Sequence, residues 1–92
     1  MSADALLVSA ADLAAELEDR RTVVLDVRWS LGAPDGSAAH RAGHVPGAVY
    51  VDLDTELARH GAPTEGRHPL PDLGDLQAAA RRWGVRADSR VV

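Results

Sequence analysis

The chain has 92 residues, a formal net charge of −4 and no cysteine. A chain of this length forms one small domain that buries about 60% of the surface its unfolded form exposes. The absence of cysteine excludes disulfides and thiolate metal ligands, and the acidic balance argues against nucleic acid or an anionic membrane as a partner. No apolar run is long enough to span a bilayer and the first residues carry no basic region, so we expect a cytoplasmic protein.

The first half of the chain alternates helix and strand signals. After a short apolar run at 6–8, Ser9 precedes apolar residues at helical spacing, which predicts a capped helix from Ala10 to about Glu18. Residues 22–27 are β-branched and apolar on both sides, as in a strand buried between helices of a parallel sheet. Glycine and proline then predict a loop over 30–37. One helical turn over 38–42 and a strand over 48–51 follow, separated by Pro46 and Gly47.

The second half predicts a short helix over 52–58, an irregular loop over 60–71, and a longer helix that Gly84 ends. The apolar stripe of the longer helix is predicted to be buried and comprises Leu73, Leu76, Ala79, Ala80 and Trp83. A further strand begins at Arg90, and the sequence stops inside it. The order β-α-β-(turn)-β-α-β predicts an α/β domain with a parallel sheet flanked by helices, incomplete in this chain.

Several polar groups allow a functional and a structural interpretation. His40 and His44 have the i, i+4 spacing of a zinc pair, but Gly43 and Pro46 interrupt the helix that this site needs. Hydrogen-bonded histidines are therefore favoured, and no metal site is predicted. The acidic residues at 52, 54 and 56 are better explained as carboxylates at a helix start than as cation ligands. A helix end likewise explains the late arginines Arg81, Arg82, Arg86 and Arg90.

Five segments together resemble a known family. The run His44-Val45-Pro46-Gly47-Ala48 leads into an aliphatic strand, and a buried strand ends in Asp26-Val27-Arg28-Trp29. Further on, His68-Pro69-Leu70-Pro71 precedes a helix that ends in Trp83-Gly84-Val85, and Val91-Val92 closes the chain. Taken in their order along the chain, the segments resemble the amino-terminal domain of the two-domain rhodanese-like sulfurtransferases. One departure is His40, which stands where the family signature has phenylalanine or tyrosine.

The resemblance implies that residues 1–92 are the amino-terminal part of a rhodanese domain, the non-catalytic half of an enzyme. The whole enzyme then moves sulfane sulfur from a donor such as thiosulfate to an acceptor such as cyanide, through a cysteine persulfide in a second domain. We therefore expect no catalytic residue and no cofactor in this chain. Donor and acceptor are bound through the second domain, against which this one packs. The interdomain cleft is expected to be lined by Trp29, Arg28 and Asp26.

Alternatives stay open at this point. An inactive rhodanese module used for protein binding or regulation would also lack cysteine, and a phosphatase of the same fold would need a cysteine loop that this chain does not contain. Trp29 follows the strand directly, so it either fills the core of the domain or covers a neighbouring surface. For His44, a hydrogen bond that ties the loop to the domain is favoured over proton transfer. The sequence that follows Val92 in the gene would separate these interpretations.

Overall fold

A computed structural model describes residues 7–59, 61–62, 64, 66 and 69–92. Helices and short strands alternate along this part of the chain, as the sequence predicts. In chain order the elements are α1 (Ala10–Glu16), β1 (Thr22–Val23), β2 (Leu25–Val27), α2 (Ser37–Ala42), β3 (Val49–Val51), α3 (Leu53–Glu56), α4 (Leu73–Arg82) and β4 (Arg90–Val91). The helices in the described residues are too short or too polar to cross a bilayer.

The predicted strand 22–27 is the middle of the sheet, and it pairs with a different neighbour along each half. On one side β1 pairs with β4, and on the other side β2 pairs with β3, both in parallel. Val24 separates the two halves, and its carbonyl accepts the backbone N–H of Val49 at 2.9 Å. Beside it, the N–H of Leu25 donates to the carbonyl of Val92 at 2.7 Å. The middle strand therefore lies between two others, but it is less buried than its apolar character predicts: residues 22–26 are half-buried and Val27 is 45% exposed.

The sheet carries helices on both faces. On one face, Leu25 and Val51 pack with Ala79 and Trp83 of the α4 region, and Val51 is fully buried. Side chains alternate between the faces of a strand, so Asp26 points to the opposite face, where it contacts His40 of α2. This arrangement confirms the predicted α/β class.

The ends of the helices follow local rules that the sequence displays. At the start of α1, the Ser9 hydroxyl accepts the backbone N–H of Asp12 at 3.1 Å, which is the predicted cap. At the end of α4, Gly84 has a φ of 85°. The N–H of Val85 donates to the carbonyl of Ala80 at 3.0 Å, and the N–H of Gly84 donates to the carbonyl of Arg81 at 3.1 Å. These two bonds form a Schellman motif, which ends the helix where the glycine predicts.

Three sequence predictions are wrong in detail. Leu73 is 85% exposed rather than buried, because α4 packs on the sheet through its carboxyl-terminal half while Leu73 begins its first turn. Leu7 and Val8 form no strand, so the described part of the chain lacks the first element of the predicted order. The helices α1 and α3 end at Glu16 and Glu56, about one half-turn before the predicted limits.

Replacing the glycine that ends α4 should destabilise the domain, while a glycine inside α4 serves as a matched control. Gly84→Ala places a side chain at positive φ and should lower the free energy of unfolding by about 1–2 kcal/mol. Gly74→Ala meets no neighbouring atom and has an ordinary helical φ, so it should raise the free energy by about 0.5 kcal/mol. Urea unfolding of the parent and both variants measures the difference, and equal effects would contradict the assignment of the helix end.

Candidate functional site

The candidate site lies where the strands end. All pairings in the sheet are parallel, so the carboxyl ends of β2 and β3 lie at one edge. In open α/β sheets this edge is where ligands bind. Arg28 and Trp29 follow β2 directly, and Asp52 follows β3 before the start of α3.

Beneath this edge, the carboxylate of Asp26 accepts hydrogen bonds from the side chains of Arg28 and His40. Its two carboxylate oxygens accept the Nε–H of Arg28 at 2.9 and 3.0 Å. One of them also accepts the Nδ1–H of His40 at 2.6 Å. Arg28 reaches further, since its Nη2 donates to the backbone carbonyl of Gly43. The pKa of the Asp26 carboxyl is lowered, chiefly because His40 donates a hydrogen bond to it; burial opposes this effect and Arg28 adds to it.

The two histidines pack on one another and on the sheet. The rings of His40 and His44 are stacked, with centroids 3.7 Å apart and an angle of 14° between their planes. His44 donates from Nδ1 to the backbone carbonyl of His40 at 2.6 Å, which is the predicted hydrogen-bonded role. Tyr50 lies 5.7 Å from the His40 ring. His40 therefore keeps the packing of an aromatic residue and adds a polar contact to Asp26.

The acidic residues after β3 start a helix, as the sequence analysis favours. Asp52 is the N-cap of α3 and accepts the backbone N–H of Asp54 at 3.0 Å, while Glu56 accepts the N–H of Asp52 at 3.0 Å. Within the described residues, no group of three or more histidine or acidic side chains is arranged to hold a metal ion. His60 and His68, which belong to the predicted loop over 60–71, lie outside the described residues.

Trp29 is half-buried at the edge of the sheet, and its indole N–H donates to Oδ2 of Asp54 at 3.2 Å. Arg28 and Trp29 line one side of a shallow depression of about 420 Å³. The rest of its wall comes from the loop after β2 and the first turn of α2, namely Ser30, Ala33, Asp35, Gly36, Ala38 and Ala39. Of the three predicted cleft residues, Arg28 and Trp29 therefore share a surface, and Asp26 lies behind them as the anchor of Arg28.

The loop that forms this wall is fixed by residues that sequence reasoning missed. The hydroxyl of Tyr50 accepts the backbone N–H of Gly36 at 2.9 Å and donates to Oδ1 of Asp35 at 3.4 Å. Ser30 and Ala33 exchange two backbone hydrogen bonds, which closes a tight turn. A Cβ atom on Gly36 would lie 2.6 Å from Cβ of Arg28, so only glycine lets the loop pass this close. The sequence does not single out Gly36, because a loop glycine that a close contact requires cannot be told from any other loop glycine by sequence.

The structure thus has parallel strands, a Pro-Gly turn before β3, and histidine and tyrosine rings packed on the sheet. Comparison with known families shows that the chain belongs to the rhodanese-like domain family, whose pattern matches residues 9–92. The expected resemblance is confirmed over nearly the whole chain.

Individual relatives are sulfurtransferases by name. The chain is 50% identical over 88 residues to the "Putative thiosulfate sulfurtransferase SseB" of Mycobacterium tuberculosis, an alignment that covers 95% of this chain and 31% of that protein. It is 41% identical over 92 residues to the "Probable 3-mercaptopyruvate sulfurtransferase" of Pseudomonas aeruginosa, with 96% and 32% covered. The chain thus spans about a third of the length of the curated relatives it matches. No solved structure matches it.

Enlarging Gly36 should disturb the site, with Gly32 in the same loop as a control. Gly36→Ala forces its new methyl group against the Cβ and carbonyl of Arg28, 2.6 and 2.8 Å away, and should lower the free energy of unfolding by about 1–3 kcal/mol. Gly32→Ala meets nothing within 4 Å and should be nearly neutral. Chemical denaturation compares the two, and a neutral Gly36→Ala would show that the loop can move away from Arg28.

Placing the phenylalanine of the family signature at position 40 should change the titration of Asp26. His40→Phe keeps a ring but removes the largest cause of the lowered pKa, so the pKa of Asp26 should rise. A lowered folded-state pKa stabilises the domain above the unfolded value of about 3.9, and this stabilisation is lost as pH falls through the folded value. The variant should therefore lose less stability in acid than the parent does.

Carboxyl ¹³C NMR titration measures this change directly. Asp35 is the internal control, because the pKa of its carboxyl is lowered chiefly by the backbone N–H of Ser37 and should not respond to His40→Phe. An unchanged pKa of Asp26 in the variant would mean that Arg28 alone maintains it.

Proposed function

We propose that this chain is the amino-terminal, non-catalytic part of a two-domain thiosulfate sulfurtransferase whose sulfur-carrying cysteine lies in a second rhodanese domain. The observation that carries the proposal is the combination of family and composition. The chain belongs to the rhodanese-like family and matches sulfurtransferases over about a third of their length, yet it contains no cysteine. A domain of this family without a thiol needs a partner that supplies one.

The proposed reaction has two steps that balance without a redox cofactor. The cysteine thiolate of the second domain attacks the outer sulfur of thiosulfate, the S–S bond breaks, and sulfite leaves with the bonding electron pair. The resulting persulfide is then attacked at its outer sulfur by cyanide, which leaves as thiocyanate and restores the thiolate. A cysteine loop at a helix N-terminus favours both steps, because backbone N–H groups and the helix dipole lower the pKa of the thiol and hold the anionic persulfide.

In this proposal the described chain forms one wall of the cleft in which the persulfide reacts. The support is geometric: Arg28 and Trp29 share a depression at the carboxyl edge of the sheet, and Asp26 fixes the guanidinium of Arg28 from behind. The bond from Trp29 to Asp54 fixes the indole against α3. Trp29 is the residue we expect to face the catalytic loop.

Packing against the second domain is supported by apolar side chains that the chain leaves in solvent. Leu70 and Leu73 are 81% and 85% exposed, and Leu31 at the tip of the turn after Trp29 is 71% exposed. A second domain that packed on these leucines would remove their apolar surface from water, which favours association. A cytoplasmic location is also part of the proposal, and cell fractionation tests it.

The isolated chain should have no thiosulfate:cyanide sulfurtransferase activity, because a persulfide requires a thiolate and the sequence contains no cysteine. The measurement is thiocyanate formation by the purified 92-residue chain, with the full-length protein as positive control. Thiosulfate and 3-mercaptopyruvate are offered side by side, since the names of the relatives include both donors. Turnover by the isolated chain would overturn the proposal, and an inactive full-length protein would favour a binding module instead.

Truncating Trp29 in the full-length protein should separate its cleft role from a core role. If Trp29 faces the cleft, Trp29→Ala should lower the rate of sulfur transfer about ten- to a hundredfold, since small misplacements near a reacting group are costly. The domain should still fold. If Trp29 is a core residue, the same change should cost about 3–5 kcal/mol of stability.

Trp83→Phe is the matched control for this experiment. The indole of Trp83 is buried in the core and donates to Oε2 of Glu56 at 3.0 Å. Its loss should cost about 1 kcal/mol of stability. The transfer rate should fall far less than in Trp29→Ala, because Trp83 reaches the cleft wall only through α3. The paired readout is melting temperature and sulfur-transfer rate for each variant. A lowered melting temperature with normal activity in Trp29→Ala would contradict the cleft assignment.

A further inference from the structure

A second concave surface lies at the edge of the sheet opposite to Trp29. The turn after α1 leads into β1, and the turn after α4 leads into β4. These two strands are parallel neighbours, with Thr22 opposite Arg90 and the N–H of Arg90 bonded to the carbonyl of Arg21 at 2.8 Å. Both turns must therefore lie side by side at the amino ends of the strands.

The two turns enclose a pocket of about 260 Å³. Three of its lining residues are arginines and one is acidic: the wall consists of Arg20, Arg21, Gly84, Arg86, Asp88 and Ser89. The chain carries a net charge of −4, whereas the residues that line this pocket include three arginines and one aspartate. The adjoining surface adds Glu16 and Asp19, and each of these pairs with an arginine, Glu16 with Arg90 and Asp19 with Arg21.

The charges of the pocket are only partly neutralised by the protein. Arg21 pairs with Asp19, with Nη2 and Oδ2 2.9 Å apart, and this pair lowers the pKa of Asp19 to about 2. Within the described part of the chain, the guanidinium groups of Arg20 and Arg86 make no ion pair or hydrogen bond. Arg20 and Arg86 therefore share the pocket with one aspartate, Asp88. The pKa of the Arg21 guanidinium is raised chiefly by its hydrogen bond to Asp19, and the charge of Asp88 adds to this effect.

Ser89 adds a neutral donor to these charges. Its hydroxyl oxygen accepts the backbone N–H of Arg86 at 2.7 Å, so the hydroxyl proton remains to be donated elsewhere. Guanidinium groups bind tetrahedral oxyanions through paired N–H donors, and a doubly charged oxyanion gains more from them than a monovalent ion.

We propose that the pocket between these two turns, lined by Arg20, Arg21, Arg86 and Ser89, binds a doubly charged tetrahedral oxyanion of the sulfate or phosphate type. This site lies at the opposite edge of the sheet from the proposed cleft, so the inference goes beyond the proposed function and stands independently of sulfur transfer. Arg20 and Arg86 supply the charge that the protein does not neutralise, and Ser89 supplies a hydrogen bond.

Titration of the full-length protein with inorganic sulfate, and separately with inorganic phosphate, tests the site by calorimetry. Sodium chloride keeps the ionic strength constant. Saturable binding of either ion is expected, and Arg20→Gln or Arg86→Gln should weaken it about tenfold each. Asp88→Asn should strengthen binding several-fold, because it removes the one opposing charge in the pocket wall. This variant gives a gain of affinity, which a failure to fold does not mimic.

Arg41→Gln is the control of equal charge change, because Arg41 is an exposed residue of α2 outside the pocket. It should leave the affinity within about twofold of the parent value, as expected for a distant screened charge. Binding of sulfate or phosphate that survives both Arg20→Gln and Arg86→Gln would overturn the inference. So would equal weakening by Arg41→Gln, or heats no larger than those produced by chloride. None of these readouts involves thiosulfate turnover, so failure here is distinct from failure of the proposed function.

Discussion

The parallel pairing of the middle strand with two neighbours is the constraint on which the rest of the structure depends. Because β1 pairs with β4 and β2 pairs with β3, every strand runs in the same direction. The edge formed by the carboxyl ends of the strands therefore carries Arg28, Trp29 and the start of α3. The edge formed by the amino ends carries the arginine-rich turns. Parallel pairing also requires crossover segments, which place helices on both faces.

Asp26 connects the middle strand to the candidate cleft through its hydrogen bonds. It sits on the α2 face of the middle strand and accepts hydrogen bonds from both Arg28 and His40. A partly buried carboxylate needs such partners, because burial of an unpaired charge is costly. The same contacts fix the direction of Arg28, whose other end holds the carbonyl of Gly43. One carboxylate therefore joins the strand, α2 and the loop that follows it.

The four-residue helix α3 links the two tryptophans of the chain. Trp29 donates to Asp54 from the edge of the sheet, and Trp83 donates to Glu56 from the core. Glu56 also accepts the N–H of Asp52, so it caps its own helix while it satisfies the buried indole. A helix this short has little stability of its own. It is held by these side chains, and it connects the core to the wall of the proposed cleft.

The family, the α/β class and most helix limits could be predicted from local pattern. Three local signals each impose a backbone conformation on the residues beside them. They are Ser9 before an apolar stripe, Gly84 after an apolar stripe, and Pro46-Gly47 before a strand. The same holds for the carboxylates that begin α3. Leu73 shows the limit of such reasoning, because helical periodicity gives the apolar face but not how far along the helix the sheet extends.

By itself, therefore, the sequence determined the class of the domain, its central strand and the absence of a thiol. Only the tertiary structure decided that His40 bonds to Asp26, that Tyr50 holds the loop at Gly36, and that the turns at 17–21 and 84–89 form one pocket. These contacts join residues far apart in the chain through strand pairing and side-chain direction. Neither is encoded by the spacing of residues within a single segment, because both depend on which strand becomes the neighbour.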